Sequence, residues 1–221
     1  MERHVGGDAV LGAKPSLGLV TCGPQLEVAF AAPAGHTTSL VRLGGVSPRS
    51  TLVLAAVDLL IEDAGLAPNA VARVVVSRGP GSFTGIRAGL ATAFGLAAAI
   101  DAECLAYGSL LMLAARCAGS GSVWCAQPGR RGEVYARQFE LPDSGVPRPL
   151  GEIEIMPLTA LTGYGPWSGA EALDLGAAER APTVRSAGEA LLHLVSMGAA
   201  PDALEPLYVE GPPIHGSSNG P

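Results

Sequence analysis

The residues able to do chemistry are few and scattered. His4, His36, His193 and His215 show no H-x-x-x-H or H-E-x-x-H spacing, so no two imidazoles fall on one helix face as a metal would need. Glu62-Asp63 falls near a helix end and Glu103 beside a strand, both ordinary places for solvated charge. Glu133 follows Arg130 and Arg131 closely enough to pair with either, which leaves no acid pair for general acid–base work. Cys22, Cys104, Cys117 and Cys125 contain no C-x-x-C pair and sit in apolar surroundings, the pattern of reduced core thiols. Ser82 lies on a conspicuous loop but lacks a G-x-S-x-G context, and its base would have to come from one of the scattered histidines. The expectation is no catalytic residue and no metal site.

The loop that holds Ser82 is Gly79-Pro80-Gly81-Ser82-Phe83-Thr84-Gly85, between the apolar run 72–77 and the small-residue run 86–100. It reads as strand, tight loop and helix, with Ser82 or Thr84 as the helix cap. Such a loop presents backbone donors at a helix N-terminus and favours a phosphate or carboxylate. It is not a P-loop, because Ile86-Arg87 follows Gly85 where Lys-Ser/Thr is required. Nor is it the dinucleotide fingerprint, since its glycines are spaced G-x-G-x-x-x-G. A plain turn joining strand to helix remains open.

The elements that must hold this loop follow from pattern. Leu17 to Val20, a turn at Gly23-Pro24 and Gln25 to Ala31 read as a hairpin, with Thr37 to Leu43 as a third strand. Ser47-Pro48 opens a helix whose Leu52, Val53, Ala56, Leu59 and Leu60 recur at helical spacing, ending near Gly65. Val71 to Ser77 reads as a buried strand. After the loop, Gly85, Gly89, Ala93 and Ala97 form a row without side-chain bulk, which lets another element approach closely. That element is either a partner's helix or the chain's own sheet. Cys104 to Tyr107 is a short strand, Ser109 caps a helix through Ala118, and Gly119-Ser120-Gly121 is a hinge. Beyond it, Ser122 to Ala126 and Glu133 to Glu140 read as antiparallel strands, Glu152 to Met156 as another, and Ser186 to Met197 as an amphipathic helix. Residues 162–176 carry no clear pattern despite Trp167.

G-P-G-S-F-T-G-I-R followed by a small-residue helix resembles the motif of the TsaB (YeaZ) family. Leu52 to Leu60, Arg130-Arg131-Gly132-Glu133-Val134-Tyr135 and Glu205-Pro206-Leu207-Tyr208-Val209 fit the same resemblance, which runs from about Leu17 to Val209. It implies an α/β protein with an actin-like, ribonuclease-H-like fold in two lobes. It also implies a non-catalytic scaffold for the machinery that makes threonylcarbamoyladenosine next to the tRNA anticodon. The partners implied are a catalytic TsaD-type subunit and a TsaE-type ATPase, with ATP or ADP held at the interface rather than by this chain alone. Docking would use Leu52, Ala55, Ala56 and Leu59 on one helix and Ile86, Arg87, Gly89, Leu90, Ala93 and Phe94 on the other. The small-residue row would also let two copies pair when the partner is missing. Three positions depart from the family pattern: Val20-Thr21-Cys22 stands for Asp-Thr-Ser, Arg49-Ser50 for His-Ser, and Pro128-Gly129-Arg130 for Asp-Ala-Arg. Valine ligates no metal, so metal–nucleotide chemistry is not expected at that corner. An independent kinase or peptidase of the same fold, and a divergent paralogue that has lost the complex, stay open.

Composition bounds the rest. The 221 residues, 48% hydrophobic, suit one domain or two small lobes with a sizeable core. A net charge of −6 argues against a broad nucleic-acid footprint, so tRNA contact is expected only through a partner. The longest apolar run, 88–100, falls short of the roughly 20 residues that cross a bilayer, and a cytoplasmic protein is expected. The expected division is a mobile extension over 1–16, a first lobe over 17–118, a smaller second lobe over 119–210 and a disordered tail over 211–221.

Overall fold

The computed structural model describes residues 14–32, 38–44, 50–130, 132–170, 173–176 and 178–210. Two sheets carry the chain. In the first, β1 (Ser16–Val20), β2 (Gln25–Ala31) and β3 (Ser39–Gly44) form an antiparallel meander, and β4 (Arg73–Ser77) and β5 (Glu103–Tyr107) add in parallel to β1. The order is β3-β2-β1-β4-β5. Parallel strands need crossover connections, supplied here by α1 (Ser50–Asp63) between β3 and β4 and α2 (Phe83–Ile100) between β4 and β5. In the second sheet β6 (Gly121–Pro128), β7 (Glu133–Leu141) and β8 (Arg148–Pro157) are antiparallel, with β9 (Trp167–Gly169) parallel to β6. This is the two-lobed, actin-like α/β arrangement that the resemblance implied.

Helix ends follow the local chemistry. Gly65 takes φ +66°, and its N–H and that of Leu66 donate to Glu62 and Ile61, closing α1 with a left-handed turn. Ser82 caps α2 by accepting from the Gly85 N–H at 3.2 Å. The helix after β5, α3 (Ser109–Ala115), has Gly108 at its cap position without a side-chain bond, so the expected Ser109 cap is not formed. The Ser109 hydroxyl instead lies 3.0 Å from the Cys22 sulfur.

Several boundaries differ from expectation, among them α3, which ends at Ala115 rather than Ala118, and β8, which begins at Arg148 rather than Glu152. The N-terminal extension does not reach Ser16, which is fully buried in β1, and the Pro15 carbonyl accepts the N–H groups of Ala72 and Arg73. The third strand, expected from Thr37, begins at Ser39 among the described residues, and Thr37 itself lies outside them. The last helix, α4 (Ala187–Ser196), falls within the expected second lobe, but it packs on β1 and β2 of the first sheet. Glycine makes that docking possible: a Cβ on Gly188 would lie 2.8 Å from the Ala29 Cβ, and one on Gly18 would lie 3.0 Å from the Gly188 carbonyl oxygen. A buried Glu27 carboxylate accepts the Gly188 N–H at 2.9 Å and pairs with Arg42 at 3.0 Å, so its charge is satisfied.

The core is continuous between lobes because β6 alternates. Val123 and Cys125 join the main core with Met112 and Leu113 of α3, while Trp124 and Ala126 face a smaller core with Val134, Met156, Leu161 and Trp167. Trp167, in the stretch the sequence left unpatterned, is 1% exposed and stacks under Arg180 at 4.5 Å. The sequence expectations for 1–13, Ser47-Pro48, Arg49, Arg131 and 211–221 lie outside the described residues.

Candidate functional site

The glycine loop is built against the end of β1. Gly79 has φ +104°, and a Cβ there would sit 2.6 Å from the Ile86 side chain and 2.8 Å from the Leu207 carbonyl. Gly81, at φ +151°, lies so close to the Cys22 carbonyl that a Cβ would approach it to 2.5 Å, and the Ser82 N–H donates to that same carbonyl at 2.9 Å. Thr21, 2% exposed, donates from its hydroxyl to the Gly85 carbonyl at 2.7 Å. At the strand end with valine in place of aspartate, Thr21 therefore locks β1 to the first turn of α2. Its hydroxyl is spent on structure.

The loop forms one wall of a cleft of about 860 Å³ between the lobes. Thr21 to Pro24 and Pro80 to Gly85 line the first-lobe side, Pro128 to Arg130 and Tyr135 the second, and Leu207 to Glu210 cross it. Phe83 and Tyr208 stack with centroids 4.9 Å apart. The Tyr135 hydroxyl donates to Glu210 Oε2 at 2.9 Å, and Arg130 Nε lies 3.5 Å from the same oxygen. Burial first, then the Glu210 carboxylate, pushes the Tyr135 hydroxyl up to about 12. Of these residues the sequence reading marks the loop, Thr21-Cys22, Gly23-Pro24, Pro128-Gly129-Arg130, Tyr135 and Leu207-Tyr208-Val209. Glu210 carried no signal, because a single acid beyond the last recognised motif has no pattern.

The other chemical candidates stay apart. Ser82 is a cap, as its bond to Gly85 shows. Cys22 is 2% exposed and donates to the Ser77 hydroxyl at 3.1 Å; burial raises its thiol, and the same cause raises Cys104, Cys117 and Cys125. All four are free thiols. His193 lies on α4, where its Nδ1 is 3.2 Å from the Ser196 hydroxyl; His4, His36 and His215 lie outside the described residues. Glu103 pairs with Arg73 at 3.3 Å. Arg130 forms an ion pair with Glu210, and the backbone N–H of Glu133 donates to the Arg130 carbonyl. Among the described residues no group of three or more His, Cys, Asp and Glu could hold a metal ion.

The small-residue row is turned inward. Gly89 and Ala93 are buried, and a Cβ on Gly85 or Gly89 would run into Thr21. Of the two partners the row could take, it packs on the chain's own sheet. The docking set expected from the resemblance is corrected accordingly: Ala56, Ile86, Gly89, Leu90 and Ala93 are core residues, and Leu52 is half-buried. Ala55, Leu59, Arg87 and Phe94 do face outward, joined by Leu54 and by Ala91, Gly95 and Ala98. Leu54, Leu59 and Phe94 are 51%, 57% and 43% exposed. Single exposed hydrophobics are ordinary, but a row shared by two packed helices is a surface that would gain by being covered. By length and apolarity alone α2 qualifies to cross a membrane. It instead packs on the first sheet, with Ile86, Gly89, Leu90, Ala93 and Ala97 buried.

A family model described as TsaD, tRNA N6-adenosine threonylcarbamoyltransferase, matches residues 34–164, more than half of the chain. The chain belongs to this family. Similar proteins are of the TsaB/YeaZ type. The tRNA threonylcarbamoyladenosine biosynthesis protein TsaB of Bacillus subtilis is 36% identical over 92 residues, 41% of this chain and 40% of that one. TsaB of Escherichia coli is 30% identical over 97 residues, 42% of each chain. The matched stretch thus spans about two fifths of the curated relatives' length. YeaZ from Pseudomonas aeruginosa superposes with a TM-score of 0.70 at 25% identity, over 89% of this chain and all of that one. The chain is of the TsaB/YeaZ type, as its glycine-loop motif implied.

Proposed function

We propose that this TsaB/YeaZ-type chain is a non-catalytic subunit in the making of threonylcarbamoyladenosine on tRNA, and that it docks on and supports a catalytic TsaD-type subunit in the cytoplasm. The observation that carries the reading is the outward apolar face of α1 and α2, centred on Leu54, Leu59 and Phe94. Asp58, Glu62 and Asp63 edge that face on α1, so the chemistry calls for a partner surface with an apolar centre and a basic rim. Thr21 and Ser82, the hydroxyls nearest the glycine loop, are spent on structure: Thr21 donates to the Gly85 carbonyl and Ser82 accepts the Gly85 N–H. The net charge of −6 favours tRNA contact through the partner. A TsaE-type ATPase and ATP or ADP at the shared interface belong to the same proposal, as does self-pairing through this face when the partner is missing.

Native mass spectrometry of the full chain mixed with the TsaD-type subunit of the same source, with and without ATP and the TsaE-type ATPase, tests it. A one-to-one heterodimer is expected, and its loss on Phe94→Glu would place the contact on α2. Separate species or homodimers alone, with a folded chain, would overturn the reading.

A further inference from the structure

The segment 203–210 is a strap from one lobe to the other. Just before it, the Asp202 carboxylate accepts the Gly108 N–H at 2.8 Å, and Asp202 bridges Ala106 of β5. Arg78, at the end of β4, donates from Nε to the Glu205 carbonyl at 2.8 Å, and its own carbonyl accepts the Leu207 N–H at 2.8 Å. Tyr208 then stacks on Phe83, and Glu210 reaches Tyr135 and Arg130 in the second lobe. Of these anchors the last differs in kind, because both of its donors converge on one carboxylate oxygen.

We propose that this strap is a latch on the interlobe cleft: the Glu210 carboxylate occupies an oxyanion site formed by Arg130 and Tyr135, and a small molecule carrying a phosphate or carboxylate displaces it. A guanidinium and a phenol hydroxyl that share one acceptor are a donor set for an oxyanion, and they would serve an incoming one equally. The cleft has the volume of a small-molecule site. The latch is also weak enough to yield. The Arg130 and Glu210 side chains are 43% and 27% exposed, so solvent screens their attraction. The inference involves none of the α1 and α2 docking residues and stands apart from the partner reading.

Calorimetric titration of the full chain with pyrophosphate and with succinate, for the wild type, Glu210→Ala and Arg130→Ala/Glu210→Ala, tests it. Removing an internal competitor raises the fraction of open sites, so at least one probe should bind Glu210→Ala about tenfold more tightly than wild type. The gain should vanish in the double variant. A gain for pyrophosphate alone assigns a phosphate ligand, and a gain for succinate alone a carboxylate. Hydrogen exchange at the Leu207 amide gives an independent readout, since the winning probe should speed it in the wild type. Equal affinities in wild type and Glu210→Ala, no binding to either, or a gain that survives loss of Arg130 would overturn the latch.

Discussion

Gly89 shows how one missing side chain sets the place of an element. Its Cα faces the buried Thr21 side chain, so any Cβ must displace the end of β1 or lift α2. Gly89→Ala would gain helix propensity but overpack this contact, and a net loss of about 1 to 3 kcal/mol is expected in denaturant unfolding. Tyr135 makes a second residue-scale prediction. A phenol held near 12 in the fold and near 10 when unfolded contributes stability that is complete below pH 10 and lost as pH rises to about 12. Glu210→Gln removes the carboxylate's share and leaves the larger share from burial. Phenolate absorbance should therefore show one tyrosine titrating earlier in the variant, though still above 10. An unchanged titration would mean that Glu210 does not face that hydroxyl.

The elements were largely legible because their signals are local. Gly23-Pro24 marked the hairpin, Gly65 the end of α1, and the period of α2 its regular course. What period alone could not give was the identity of the surface each face meets. Gly85, Gly89, Ala93 and Ala97 announce close approach, and a helix of a partner and a strand of the same chain satisfy that row equally well. The strand won because β1 runs into Thr21, the residue just past its end, whose hydroxyl bonds the helix's first turn. Trp167 goes unplaced, and α4, rightly read as an amphipathic helix, goes to the wrong lobe for a related reason: much of what buries them is distant in sequence. The two faces of α2 give the matching test. Phe94→Glu on the outer face should change unfolding stability by less than about 0.5 kcal/mol. Ala93→Glu, one residue away on the inner face, buries an unpaired carboxylate and should prevent stable folding. Similar losses in both would show that the outer face is covered within the chain.

The molecule has two sheets but should unfold as one unit. α3 contacts β6, β7 and β9 of the second sheet and α4 of the first lobe, so Met112 and Leu113 belong to a core that runs through both. Chain order adds to this, since the strand series crosses to the second lobe at β6 and the chain returns to the first with α4 and the strap. The probes separate conveniently. Both tryptophans, Trp124 and Trp167, lie in the second lobe, whereas α1, α2 and α4 pack on the first sheet. Far-ultraviolet circular dichroism thus reports mainly the first lobe, and tryptophan fluorescence the second. Coincident denaturant transitions are expected from the two. Leu113→Ala, at 1% exposure on the shared seam, should lower both midpoints together by the equivalent of about 2 to 5 kcal/mol. A fluorescence transition that precedes the helical one would mean that the second lobe opens alone. The shared core would then be too weak to tie Arg130 and Tyr135 to the first lobe, and the strap would be the main tie across the cleft.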